Sequence, residues 1–274
     1  MLTARELKAL LAEHGLRLSK RLGQNYLIDR NLIARLMRAF SLASEDRVLE
    51  IGAGLGALTE PLAEQTAHVL AFEVDQGIGS LLASRLAGRP NVEVACSDFL
   101  AFDWSSIRQH VTVVGAIPYV ISSEILARLC EHRSQIRRAW LIVQREVGQR
   151  LAAKPATKAY GRLTVLGQYS WTIQPQFSLP RGAFFPQPAV DSVLLRLDPR
   201  EPGLQAAAEA PFFGVVKAVF AQRRKTLLNG LLDAELVCDR AAGQAVLQKL
   251  GYAAAVRGEE LSPQELQRLA SALR

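Results

Sequence analysis

Three glycines at alternate positions, Gly52, Gly54 and Gly56, follow a short apolar run from Arg47 to Ile51 and precede a helical pattern from Leu58 to Gln65. A turn without side chains lets backbone come close to a ligand at the C-terminal edge of a sheet. With Ala57, the same run also meets the G-x-G-x-x-G/A spacing of dinucleotide-binding turns. Taken alone it suits a dinucleotide, an adenosyl group, or a tight turn with no ligand. The acids around it separate these. Glu73 ends the next apolar run, roughly 20 residues on, where a carboxylate can accept from ribose hydroxyls. Asp98 ends the third run, where a carboxylate can accept from an adenine amino group. Either acid singly could be a helix cap or a solvated surface group. At the ends of successive strands they favour a ligand. Glu50, just ahead of the first glycine, adds negative charge. That charge suits the cationic sulfonium and amine of S-adenosylmethionine better than an anionic pyrophosphate.

The elements that must position these residues can be read from the pattern. Residues 1–45 are helical in pattern, with a basic turn at residues 17–25. Strands are expected at Arg47 to Ile51, Val69 to Glu73, Val92 to Ala95, Val111 to Gly115 and Ala139 to Val143, and later ones at Thr164 to Ile173 and Val190 to Leu197. Helices are expected at Leu58 to Gln65, Ile78 to Leu86 and Glu146 to Ala153. Strands alternating with helices imply right-handed βαβ units and a mostly parallel sheet in an α/β fold. A Pro/Gly break at residues 198–203 precedes purely helical patterns at Phe212 to Gln222, Lys225 to Leu232, Arg240 to Leu250 and Pro263 to Leu273. The expected domains are therefore residues 1–200, with an N-terminal helical extension, and residues 201–274.

Composition narrows the function classes. The chain has 274 residues, with 33 Lys+Arg against 26 Asp+Glu, a formal net charge of +7 and a pI near 9.6. That excess favours a polyanionic partner. Basic residues gather at Arg17, Lys20 and Arg21, at Arg133, Arg137 and Arg138, at Arg145, Arg150, Lys154, Lys158 and Arg162, and at Arg223, Arg224 and Lys225. Three scattered cysteines and four histidines argue against a disulfide framework or a zinc site, so no metal is expected and a reducing cytoplasm is. The N-terminus reads as a charged amphipathic helix, not a signal peptide. The longest apolar stretch, Val111 to Ile121, is broken by Pro118 and falls short of the roughly 20 residues a membrane span needs.

At the end of the fourth strand stand Gly115, Ala116, Ile117, Pro118 and Tyr119. Here the sequence resembles the KsgA-type ribosomal RNA adenine dimethyltransferases. The resemblance covers nearly the whole chain: residues 20–27, the glycine run, Glu73, residues 97–100, 143–147, 159–163, 184–192, 220–227 and 257–261. It implies a Rossmann-like, seven-stranded methyltransferase sheet with a small all-helical C-terminal domain. It implies S-adenosylmethionine as cofactor, and dimethylation of the N6 amines of two adjacent adenosines near the 3′ end of small-subunit rRNA in the 30S particle. A monomeric, cytoplasmic enzyme without a membrane partner is expected.

By this resemblance Asn25, Leu27, Gly52, Glu73 and Asp98 contact the cofactor, in a site to which Glu50, Gly54, Gly56 and Ala116 also contribute. Residues 116–119 and Phe184 hold the flipped adenine, with Tyr119 and Phe184 as stacking partners. Phe184 and Phe185 also read as ordinary core. Lys20, Arg21, Arg145, Arg150, Arg223, Arg224 and Lys225 are the expected RNA contacts. One departure falls on the chemistry: the family carries Asn where this chain has Ala116. The lost side-chain oxygen is one acceptor for the target amine, and the Ile117 carbonyl can serve as the other. Weak or absent methylation with cofactor binding largely kept is therefore expected. Val120 and Ala53 are milder departures. Two other functions fit the motifs less well or differently: an assembly-binding factor with little activity, which Ala116 favours, and a resistance-type methyltransferase of large-subunit RNA, against which residues 220–229 argue. An NAD-dependent enzyme fails on Asp98 and residues 117–119.

Overall fold

The computed structural model describes residues 2–19, 22–117, 121–201, 206–222 and 225–273. In chain order the first elements are α1 (Ala4–Glu13), β1 (Tyr26–Leu27), α2 (Arg30–Phe40), β2 (Arg47–Ile51), α3 (Thr59–Gln65), β3 (His68–Phe72), α4 (Gln76–Leu86) and β4 (Val92–Ala95). There follow β5 (Val111–Ala116), α5 (Ser122–Glu131), β6 (Ile136–Gln144), α6 (Arg145–Leu151), α7 (Arg162–Ser170), β7 (Trp171–Leu179), β8 (Phe184–Phe185) and β9 (Ser192–Pro199). The chain ends in α8 (Ala206–Ala221), α9 (Leu227–Asp233), α10 (Arg240–Lys249) and α11 (Pro263–Ala272).

Seven strands form one sheet in the order β4-β3-β2-β5-β6-β9-β7. From β4 to β6 the strands are parallel, and β9 runs antiparallel to β6. The centre is buried on both faces: Val48, Leu49, Glu50 and Ile51 of β2 are all buried, as are residues 111–115 of β5. That is the continuous apolar run expected of a helix-covered parallel strand. β2 pairs with β3 on one side and β5 on the other, so the strand order reverses at β2. Such a reversal opens a crevice at the carboxyl ends of the strands. The N-terminal segment is two capped helices, with a Thr3–Glu6 capping box on α1 and Asp29 capping α2. Between them β1 pairs antiparallel with β8 in a separate two-stranded sheet, Leu27 opposite Phe184.

The chain divides into two compact units, residues 1–148 with 174–199, and residues 149–173 with 200–274. The second unit encloses its own core, in which Tyr160, Val165 and Tyr169 pack with Phe212, Leu227, Leu266 and Leu269. The expected boundary near residue 200 is one crossing between units. The excursion at 149–173 is not visible in composition, because α6 runs through its start and β7 through its end.

One element differs in type. Residues 164–173 read as a strand, but the chain is helical through Ser170 before β7 begins at Trp171. Thr164, in the first turn of that helix, ties down its start: its hydroxyl accepts from Gly161 N–H at 3.1 Å and donates to the Arg150 carbonyl at 2.7 Å. Val165 and Tyr169, one turn apart, then face the second unit's core. Burial at helical spacing overrides the β-propensity of Thr and Val. β9 likewise starts at Ser192 and not at Val190.

Candidate active site

The glycine turn is folded by two bonds to one acceptor, Gly52 N–H and Ala53 N–H both donating to the Phe72 carbonyl at 3.0 Å. Gly54 has φ +57° and lies under the Tyr26 ring: a Cβ there would meet Tyr26 Cε1 at 2.6 Å. Beyond the turn, the Arg85 guanidinium donates to the Leu55 carbonyl and pairs with Glu60 at 2.7 Å, fixing the entry to α3.

Glu73 follows β3 and is 6% exposed. Its Oε2 accepts from Gly54 N–H at 2.9 Å and its Oε1 from Asp75 N–H at 3.0 Å. Burial pushes its carboxyl above the usual range, while the two backbone donors work against that rise. A carboxylate has about four acceptor positions, so two bonds leave capacity for a ligand. Asp98 follows β4; one oxygen accepts from Leu100 N–H at 2.9 Å, and the residue is exposed at the rim.

An open cleft lies at this edge. Asn25, Gly52, Gly54, Glu73, Asp98, Ala116, Ile117 and Phe184 all line it. Phe184 is 5% exposed and belongs to the sheet's core cluster while also lining the cleft. Ala116 ends β5, and Ile117 N–H donates to the Ile142 carbonyl at 3.0 Å. Pro118 and Tyr119 lie outside the described residues, as do Lys20, Arg21, Arg223 and Arg224.

Leu27, Glu50 and Gly56 do not line the cleft. Leu27 packs in the core, and Gly56 keeps α3 close to α4, since a Cβ there would meet Leu82 Cδ1 at 2.8 Å. Glu50 is fully buried in β2, and its carboxyl is pushed up to about 7, chiefly by burial, with the nearby Thr59 hydroxyl opposing and Glu73 adding to the rise. The folded chain therefore binds a proton between pH 4.5 and about 7 that the unfolded chain has lost, and stability falls as pH rises through that window. Glu50→Gln is expected to raise the unfolding temperature more at pH 8 than at pH 5, by up to about 3 kcal/mol of relieved cost. Equal shifts at the two pH values would contradict this.

Several wall residues carried no role in the sequence reading: Gln24, Tyr26, Phe72, Val74 and Phe99. Val74, 45% exposed between two acids, had no periodic signal. Of the basic clusters, Arg137 pairs with Asp46 and Arg138 with Asp198. Arg145 and Arg150 are exposed on α6, and Lys225 pairs with Asp233 at 2.6 Å.

A seven-stranded α/β sheet with a glycine turn and strand-end acids around one cleft defines an S-adenosylmethionine-dependent methyltransferase. The family model described as "Ribosomal RNA adenine dimethylase" matches residues 15–258. "Ribosomal RNA small subunit methyltransferase A" of Shouchella clausii is 40% identical, over 97% of this chain and 93% of that one. Its namesake in Bacillus mycoides is also 40% identical, over 99% and 96%. Among solved structures, a dimethyladenosine transferase from Plasmodium falciparum superposes with TM-score 0.78 at 25% identity, covering 89% of this chain and 95% of that one. The 23S rRNA methyltransferase ErmE gives 0.69 at 31% identity, covering 90% and 99%. The chain belongs to the ribosomal RNA adenine dimethylase family. No helix among the described residues is long and apolar enough to cross a membrane.

Proposed function

We propose that this chain dimethylates the N6 amines of two adjacent adenosines near the 3′ end of small-subunit rRNA, acting as a monomer in the cytoplasm on the assembling 30S particle. One observation carries the reading: the Glu73-held glycine turn, the end of β5 and Phe184 all line one cleft.

The residues present fit S-adenosylmethionine. Gly54 leaves room only because it lacks a Cβ, Glu73 keeps acceptor capacity for ribose hydroxyls, and Asp98 at the rim can accept from an adenine amino group. Val74 and Phe99 give that adenine apolar walls. When bound, the cofactor supplies an electrophilic methyl on its sulfonium. The adenine N6 lone pair is delocalised into its ring and is a weak nucleophile. Acceptors on its two N–H groups draw the amine toward tetrahedral geometry, and the Ile117 carbonyl is one of them. Phe184 stacks on the unstacked base, an interaction worth about 1–3 kcal/mol. No strong base is required; holding the amine in line does most of the work. Ala116 removes the second acceptor, so activity is attenuated relative to a chain with Asn there.

The same residue supports a second reading, an assembly factor that binds the subunit and transfers little methyl. Incubating the protein with labelled S-adenosylmethionine and under-methylated small subunits, then mapping the label, tests both. Label on adjacent adenosines near the 3′ end supports the enzyme; tight subunit binding without label supports the factor; label on large-subunit RNA sinks both.

Arg145 and Arg150, together with Arg223, Arg224 and Lys225, are assigned to phosphate contacts, which position RNA without reading its sequence. Reversing Arg223, Arg224 and Lys225 to Glu is expected to abolish subunit binding at physiological salt. It should also flatten the dependence of log K on log salt and leave cofactor affinity within about twofold. Retained subunit binding removes the assignment.

A further inference from the structure

Gln24 stands between a backbone donor and a carboxylate. Its Oε1 accepts from Ser19 N–H at 2.7 Å, and its Nε2 donates to Asp75 Oδ2 at 3.1 Å. Ser19 N–H can only donate and the carboxylate only accept, so the residue between them must accept at one end and donate at the other. A glutamine does both, and its amide orientation is fixed by that pair.

Asp75 joins this contact to the cofactor turn. Its Oδ1 takes Gly77 N–H and Ile78 N–H at the start of α4, at 3.1 and 3.2 Å. Its own N–H is held by Glu73 Oε1, and Glu73 Oε2 holds Gly54 N–H. One continuous path of hydrogen bonds thus runs from Ser19 through Gln24, Asp75 and Glu73 to Gly54. Leu22 to Tyr26 form one wall of the cleft, and Gly54 and Glu73 form another. Gln24 and Asp75 are 51 positions apart in sequence, and the bond between their side chains ties the first wall to the residue two beyond Glu73.

We propose that Gln24 is a positioning residue: acting through Asp75, it latches the segment carrying Asn25 and Tyr26 to the end of β3, and so sets the affinity of the cleft for its cofactor. This rests on the reading of the cleft as an S-adenosylmethionine site. The latch pins Asp75, whose backbone N–H holds Glu73 Oε1, so releasing it loosens the Leu22 to Tyr26 wall and the hold on Glu73 together.

The test uses the full chain and isothermal titration calorimetry with S-adenosylmethionine. Gln24→Ala, which removes the bonds to both Ser19 and Asp75, weakens binding at least about 10-fold, the scale set by the charge-assisted one alone. Gln24→Glu sets a second carboxylate at hydrogen-bond distance from Asp75, and like charges so placed cannot both ionise at low cost. Among the described residues, Asp75 bonds the Gln24 amide directly, Glu73 and the Tyr26 hydroxyl interact with Asp75 in turn, and Asp98 lines the same cleft. At pH 8 Gln24→Glu binds about 10-fold more weakly than Gln24→Ala. At pH 5.5, where one proton can be shared between the two carboxyls, it recovers to or beyond the affinity of Gln24→Ala, each value taken relative to the unsubstituted chain at that pH. Unfolding temperatures of both variants fall by no more than about 10 °C at pH 8, the scale of losing one or two part-buried hydrogen bonds in a chain of this size, so both remain folded at the titration temperature. Binding by both variants within twofold of the parent overturns the latch, and so does a Gln24→Glu that tracks Gln24→Ala at both pH values. Absence of binding by the parent overturns the reading of the cleft itself, and the latch with it.

Discussion

Gly54→Ala is expected to lower affinity for S-adenosylmethionine by about 100-fold while leaving the chain folded. Two costs add. Position 54 has φ +57°, a conformation that costs an L-residue about 1–2 kcal/mol. The new Cβ would also stand 2.6 Å from Tyr26 Cε1 and 2.7 Å from Cδ1. That ring cannot swing aside freely. Tyr26 is 8% exposed and packs in a cluster with Leu7, Leu11, Leu55 and Ile78. Overpacking of this kind costs about 1–3 kcal/mol. The turn can yield instead, but its amide is the one that Glu73 holds, so a shift there also displaces the Glu73 carboxylate in the cleft. Either way the strain is relieved by moving a cleft wall. A loss of about 3 kcal/mol is roughly a 100-fold change in Kd. Gly88→Ala is the control: nothing lies within 4 Å of a Cβ there and no positive φ is required, so affinity should not change. Calorimetric Kd values with thermal melts of both variants decide the matter. A Gly54→Ala chain that binds within threefold of the parent refutes the proposed role of the turn.

The parts of this site that were readable in advance are the ones with local signals. A glycine run after an apolar strand marks a turn wherever it occurs, and Glu73 and Asp98 are each the first acid after such a strand. The parallel sheet followed from the same alternation. What stayed hidden depends on pairings between distant segments. β1 and β8 have two residues each, too few to show a period, yet their pairing places Asn25 and Phe184 on one cleft. The Gln24–Asp75 bond has no sequence signature at all. Glu50 looked like charge beside the cofactor because position along the chain does not say which face of the sheet a side chain takes. In a strand buried on both faces it takes neither solvent nor cleft. Thr and Val favour strands in isolation, so local propensity points to a strand where residues 164–170 are helical. The cap of that helix and its apolar i, i+4 pair matter only once the Arg150 carbonyl and Phe212 are in place.

Ala116→Asn is expected to raise methyl transfer to under-methylated small subunits by about 10- to 100-fold. Position 116 ends β5 and lines the cleft with Phe184, and the next residue is pinned to Ile142 by a 3.0 Å backbone bond. A side chain there is therefore carried by a rigid strand end rather than by a free loop. The target amine has two N–H groups, and in this chain only a backbone carbonyl is assigned to them. An asparagine oxygen at position 116 supplies the second acceptor. One such bond is worth about 1–3 kcal/mol, and each 1.4 kcal/mol is about tenfold in rate. The bond strengthens as the nitrogen becomes tetrahedral, so the gain should fall on turnover and not on KM for the subunit. Cofactor affinity should stay within about threefold, because Gly54, Glu73 and Asp98 are untouched. This pattern separates the two functional readings. An enzyme short of one acceptor gains rate on Ala116→Asn with unchanged subunit binding. An assembly factor that has lost other parts of the catalytic arrangement gains nothing, and equal rates for the two chains would assign the defect to some part of the cleft other than position 116.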